Sequence, residues 1–190
     1  MKLHSLTWLQ PVGIRSSGDV CYGTDANRNF DYLWNEFGTS NYECSDFYGG
    51  PYVESEPETK LFSNFLMSYK KQIKLYISLH SYGQKISYPI SGVSKEDLEE
   101  LEDIARAGIR NLKNSRLSPA KYTVDPMNEM SFRQSGTSAQ FAMHRAEIKH
   151  SFTIELRDSG THGYLVPASS IEDSSLELFE IVKGMISQST

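Results

Sequence analysis

Two segments, IKLYISLHSY from Ile73 and IKHSFTIEL from Ile148, alternate apolar and polar residues with the period of two that belongs to a strand. In the first, Ile73, Leu75, Ile77 and Leu79 alternate with Lys74, Tyr76 and Ser78. In the second, Ile148, His150, Phe152, Ile154 and Leu156 alternate with Lys149, Ser151, Thr153 and Glu155. Helical patterns stand between and around them. SEPETKLFSNFLMSYKKQ offers Ser55 as N-cap, Pro57 in the first turn, and Leu61, Phe62, Phe65, Leu66 and Tyr69 at helical spacing. SKED at Ser94 opens like a capping box, followed by an apolar face of Leu98, Leu101, Ile104, Ala105, Ile109 and Leu112. A last helix is expected after Asp173, with Leu176, Phe179, Ile181, Val182, Met185 and Ile186 on one face, while NSRLSPAKYTVDPMNEMSFRQSGTS reads as loop. Strands alternating with helices predict an α/β sheet covered on both faces.

The 190 residues suit one large domain, and no linker or repeat divides them. The 19 Lys and Arg against 24 Asp and Glu, with no basic run, argue against a nucleic-acid partner. No window reaches the roughly 18–20 apolar residues of a membrane span, and MKLHSLTWLQPVG is too short in its apolar stretch for a signal peptide. Residues 1–9 match no regular element. Cys21 and Cys44 bracket a turn-rich loop and can be read as two buried thiols or as a bridge; a bridge would add roughly 3 kcal/mol and imply an oxidising compartment.

In open α/β sheets, ligands bind beyond the carboxyl ends of strands. His80 and Glu155 both fall at such ends, although each alone has an ordinary explanation: a packed histidine, and a glutamate paired with Arg157. A third stretch, GTDANRNF, sets Asn27 beside Arg28, an amide donor next to a guanidinium fork that suits a carboxylate; read alone it is a polar turn.

Taken in order, CYGTDANRNF, SEPET, SLHSYGQ and SFTIELRDSGTHGYLVPAS resemble the zinc metallocarboxypeptidases of the carboxypeptidase A and B type, from about Gln10 to the C-terminus. That resemblance implies a three-layer α/β/α sandwich with a mixed eight-stranded sheet, hydrolysis of the C-terminal peptide bond of peptides and proteins, secretion, and a Cys21–Cys44 disulfide. It makes His80 a zinc ligand and Asp25 the carboxylate that orients another zinc histidine. Asn27 and Arg28 become the grip on the substrate's terminal carboxylate, Ser81 and Tyr82 subsite residues, and Ala139 (Gln140 if the register slips by one) the floor of the terminal side-chain pocket. Glu155 becomes the general base that moves the proton of the attacking water.

The chain also departs from that pattern. The family's zinc site takes two histidines and a glutamate, a ligand set for which carboxypeptidase A is a standard example, with the first His and the Glu from an HxxE pair. The formal HxxE here is HRAE, His144 to Glu147, which follows His80 instead of preceding Asn27 and reads as accidental. The family's oxyanion arginine is also unmatched, since Arg15 stands in the wrong place. Phe132 occupies the position of a substrate-facing tyrosine, losing a hydrogen bond of about 0.5–1.5 kcal/mol; a slip of one would put Arg133 there. The expectation is a partial catalytic domain over 10–190, lacking N-terminal strands and exposing sheet edges, weak in zinc by itself, and completed by the missing N-terminal part. The alternative is a non-catalytic relative that binds peptide C-termini.

Overall fold

The structure, a computed structural model, is described for residues 11–14, 18, 20–117, 120–127 and 134–189. Phe132, Arg133, Arg15 and the segment 1–9 lie outside the described residues. The chain forms two compact units interleaved in sequence, residues 74–128 with 150–190 and residues 2–73 with 129–149.

The first unit holds β3 (Tyr76–Ser81), β4 (Lys85–Ser87), α2 (Lys95–Asn114), β5 (Thr123–Val124), β6 (Ser151–Leu156) and α4 (Ile171–Ser189). Its strands make a mixed sheet in the order β3-β6-β4-β5, with β3 parallel to β6, β4 antiparallel to β6 and β5 parallel to β4. The α/β expectation holds, with four strands in this sheet among the described residues. Central β6 is buried on both faces from Ser151 to Ile154. Tyr88, just past β4, meets Phe152 edge-on at 6.2 Å. Burial, then the nearby Glu102 carboxylate, pushes the Tyr88 hydroxyl up to about 12. Leu79, expected inside, is 51% exposed, because β3 lies at the margin of the described sheet.

The Ser94 cap is present, its hydroxyl accepting from the Asp97 N–H at 3.1 Å, and α2 buries Leu101, Ile104, Ala105, Ile109 and Leu112 as the spacing predicts. On α4 the buried residues are Glu177, Ile181, Gly184 and Met185, whereas Leu176, Phe179 and Ile186 face outward. The helix turns this way because Gly184 seats against α2. A Cβ there would lie 2.6 Å from the Ala107 carbonyl oxygen and 2.9 Å from Gly108 Cα. Gly184→Leu would gain about 1 kcal/mol of helix propensity at an open site. Here the overpacking reverses the sign, and we expect a net loss of about 1–3 kcal/mol in urea unfolding; a rise in the midpoint would contradict the close helix contact.

The second unit begins with an antiparallel hairpin, β1 (Pro11–Ile14) with β2 (Val20–Tyr22), and contains α1 (Pro57–Tyr69) and α3 (Ser138–His144). The Cys21–Cys44 disulfide is formed, with Cα atoms 5.2 Å apart. Phe30 packs on Phe141 and Phe62, centroids 5.7 and 6.3 Å away. Beneath this lies a buried polar hub. Asn29 Nδ2 donates to the Gly49 and Tyr52 carbonyls and to Ser55 Oγ, its Oδ1 accepts from the Glu56 N–H, and the Glu56 carboxylate accepts from Thr24 and Ser55 hydroxyls. The hub occupies both residues at the entry to α1; the N-cap is Glu56 and not Ser55, and its side chain makes no capping bond.

The expected apolar face of α1 is largely exposed: Leu61 is 70% and Phe65 49% accessible, while Thr59, Ser63 and Leu66 are buried. A period of 3.6 identifies an apolar face but not which face turns inward. Between the expected loop and the second strand the sequence pattern shows no helix, yet α3 stands there, opened by a Thr137–Gln140 capping box.

Candidate active site

Within the first unit, parallel β3 and β6 end together, so His80 is in register with Glu155. Antiparallel β4 sets Lys85 against the same glutamate. Side chains in register project to one face, giving a row of His80, Glu155 and Lys85 across three strands. Lys85 Nζ lies 3.6 Å from Glu155 Oε2 and 3.9 Å from Asp125 Oδ2, and His80 Nε2 is 2.8 Å from Ser78 Oγ. The carboxylate occupies space that only a glycine leaves open. A Cβ on Gly83 would fall 2.0 Å from Glu155 Oε2, and the φ of +157° there is one that L side chains rarely adopt.

Ser81 closes β3 at the surface, and Tyr82 follows it. The Tyr82 ring meets Tyr164 edge-on at 5.0 Å, and Gly160 and Gly163 pack on it, a Cβ on either reaching ordinary contact at 3.6 Å. Asp158 ties this loop, accepting from the Gly160 and His162 N–H groups and from His162 Nδ1 at 2.7–2.9 Å. What burial would add to its pKa is more than offset by these bonds, which hold the carboxyl below its ordinary range. Arg157, two residues beyond Glu155, forks onto Glu177 of α4 through Nε and Nη2 at 3.0 and 2.6 Å.

Within the second unit, Asn27 and Arg28 lie on a short 3-10 turn, Ala26–Arg28, capped by Asp25, whose Oδ1 accepts the Asn27 N–H at 3.0 Å. Arg28 is 5% exposed, with Nε donating to the Gly38 carbonyl and Nη1 to that of Asn27. Asn27 is half-buried, its Oδ1 accepting from the Ser138 N–H and hydroxyl at 2.9 and 3.1 Å. Ala139 is fully buried in α3, and Gln140 beside it is engaged in the capping box and with the Gln134 carbonyl. The structure thus brings His80 and Glu155 together in one unit, and Asp25, Asn27 and Arg28 together in the other.

Among the described residues no three His, Cys, Asp or Glu side chains cluster to hold a metal. A catalytic zinc takes three protein ligands, so the described residues do not fit that ion by themselves. The HRAE stretch does not help. His144 ends α3 stacked on Tyr32 at 4.1 Å, with burial pushing its pKa down, whereas Glu147 lies past the helix in the left-handed region and binds Lys70 at 2.8 Å. Sequence reasoning misses Lys85, Gly83 and Ser138. The first two follow the strand it ends at His80, and the third opens the helix it reads as loop.

No helix among the described residues is long and apolar enough to cross a membrane. The pattern that defines the zinc carboxypeptidases matches residues 7–181. Human carboxypeptidase B is 39% identical over 90% of this chain and 41% of its own length, and human mast cell carboxypeptidase A is 37% identical over 89% and 40%. The chain therefore spans about two fifths of the length of these curated relatives. Among solved structures, bovine thrombin-activatable fibrinolysis inhibitor in complex with tick carboxypeptidase inhibitor superposes with a TM-score of 0.82 at 38% identity, covering 93% of this chain and 60% of that one. Carboxypeptidase A from Helicoverpa armigera gives 0.79 at 27% identity, covering 89% and 42%. With this match over most of its residues, the chain belongs to the zinc carboxypeptidase family.

Proposed function

We propose that this chain is the part of a zinc metallocarboxypeptidase that supplies substrate recognition and the general base, and that it removes C-terminal residues from peptides or proteins when the two remaining zinc ligands are supplied by a longer domain. The observation that carries this reading is the registered pair at the ends of β3 and β6, His80 beside Glu155 with a glycine clearing space for the carboxylate. Glu155 takes and returns the proton of an attacking water, Asn27 and Arg28 hold the terminal carboxylate, Ser81 and Tyr82 contribute to substrate subsites, and His80 is a metal ligand. Asp25 is assigned to orienting a further zinc histidine, and Phe132 to covering the terminal pocket. The zinc, once held, would supply Lewis-acid polarisation of the scissile carbonyl.

The Cys21–Cys44 bridge and the exposed apolar residues of α1 and α4 support two further parts of the proposal. These are export through an oxidising compartment and completion of the fold by additional residues of the same domain. A non-catalytic binder of peptide C-termini is the second reading, and Phe132 in place of a hydroxyl-bearing tyrosine favours it.

The test joins this chain to an amino-terminal family segment bearing HxxE and compares release of terminal Phe, Leu, Lys and Glu from matched peptides by kcat/KM. Ala139 carries no charge at the proposed pocket floor, and a buried cation without a partner costs several kcal/mol. Phe and Leu should therefore be released well ahead of Lys. Faster release of Lys would overturn the assignment of Ala139, and no release from zinc-loaded protein that still binds the peptides would favour the binder.

A further inference from the structure

Asn27 can present either end of its amide to a ligand, and only the NH₂ end attracts a carboxylate. The surrounding bonds decide which. Its backbone N–H donates to Asp25 Oδ1 at 3.0 Å, and its carbonyl accepts from Arg28 Nη1 at 2.8 Å. The side-chain acceptor is taken by Ser138, from the backbone N–H at 2.9 Å and from the hydroxyl at 3.1 Å. A hydroxyl could bond either end of an amide, but a backbone N–H only donates, so it selects the oxygen. Among the described residues Nδ2 is left with no hydrogen-bond partner. Ser138 can spare this N–H because it is the first residue of α3, where the backbone donor has no partner inside the helix.

We propose that Ser138 is a positioning residue for substrate recognition: its backbone N–H locks the Asn27 amide with Nδ2 outward, so that the chain prefers a free terminal carboxylate to a terminal amide. This rests on the reading of Asn27 and Arg28 as the carboxylate grip. It adds that the selectivity is set from α3, by a residue that need not touch the ligand.

The position provides a clean variant. Proline is well tolerated at the first helical position, where it removes the N–H and leaves the helix intact. Affinities of the full chain for N-acetylphenylalanine and its amide, with folding checked by circular dichroism, give an acid-to-amide ratio for each variant. Wild type should favour the acid at least about tenfold, as expected for a hydrogen bond to a charged group. Ser138→Pro should lose most of that ratio, and Ser138→Ala, which keeps the N–H, should retain most of it. If wild type discriminates and Ser138→Pro discriminates equally, the inference fails while the carboxylate reading stands. If wild type binds acid and amide alike, the carboxylate reading fails and takes this inference with it. Should Ser138→Pro not fold, hydrogen exchange of the Ser138 amide in wild type and in Asn27→Ala decides: an amide protected in wild type and released in the variant supports the lock, and equal exchange in both overturns it.

Discussion

Arg157→Met should destabilise the chain by about 3–5 kcal/mol at neutral pH, because it strips the partner from a carboxylate held almost wholly out of water. Glu177 is 1% exposed. Besides the Arg157 fork it accepts the Ala120 N–H at 2.6 Å and the Tyr122 hydroxyl at 3.2 Å. Burial raises its pKa, but the Arg157 bonds, the Ala120 N–H and Tyr122 more than reverse that and hold it below 4.5. Burial, then the charge and hydrogen bond of Glu177, drives Tyr122 upward.

The unfolded chain thus takes up the proton first as pH falls. The stability from Glu177 is complete above about 4.5 and is lost as pH drops through the lower folded value. Removing Arg157 takes away the largest of the causes that hold this carboxyl down, so its folded pKa rises and the deficit relative to wild type should shrink as pH falls through the acid range. Urea unfolding at pH 7 and in the acid range measures both. A deficit that does not change with pH would show that Arg157 acts through packing alone. Arg157→Met with Glu177→Leu should recover much of the loss, since an apolar pair leaves no charge to desolvate.

This network shows where the sequence is legible. That Arg157 follows a strand-end glutamate is visible in SFTIELRD, and pairing the two is the ordinary guess; the actual partners are Glu177, twenty positions on, and Asp173, both on α4. Strand period places β3 and β6 correctly and puts His80 and Glu155 at their ends, because alternation is a local property. The three-residue β4 and two-residue β5 are too short to show a period, so Lys85, in register with Glu155, leaves no pattern to read. The inward face of α1 escapes the sequence for a related reason: Thr59 and Ser63 are buried while Leu61 faces out, a choice made by the packing around the helix and not by its own pattern. Asn27 and Arg28, the proposed carboxylate grip, are legible only as a motif. The bond that holds the Asn27 amide, from the Ser138 N–H of a helix 111 positions later, carries no sequence signature at all.

Glu155→Gln is expected to have the largest functional effect, because it removes the oxygen proposed to accept the proton while keeping the size and shape of the side chain. Gly83 leaves room for either headgroup, so the substitution should not disturb the ends of β3 and β6. A positioned general base contributes about 10²–10⁴-fold to rate. The loss should appear in kcat, with KM nearly unchanged, because the proposed grip at Asn27 and Arg28 is untouched. The decisive measurement is the release of C-terminal phenylalanine by zinc-loaded protein joining this chain to an HxxE-bearing amino-terminal segment, with wild type and Glu155→Gln in otherwise identical preparations. The account predicts turnover with glutamate and a kcat lower by at least about 10² with glutamine; turnover that survives the substitution within a few-fold would contradict it.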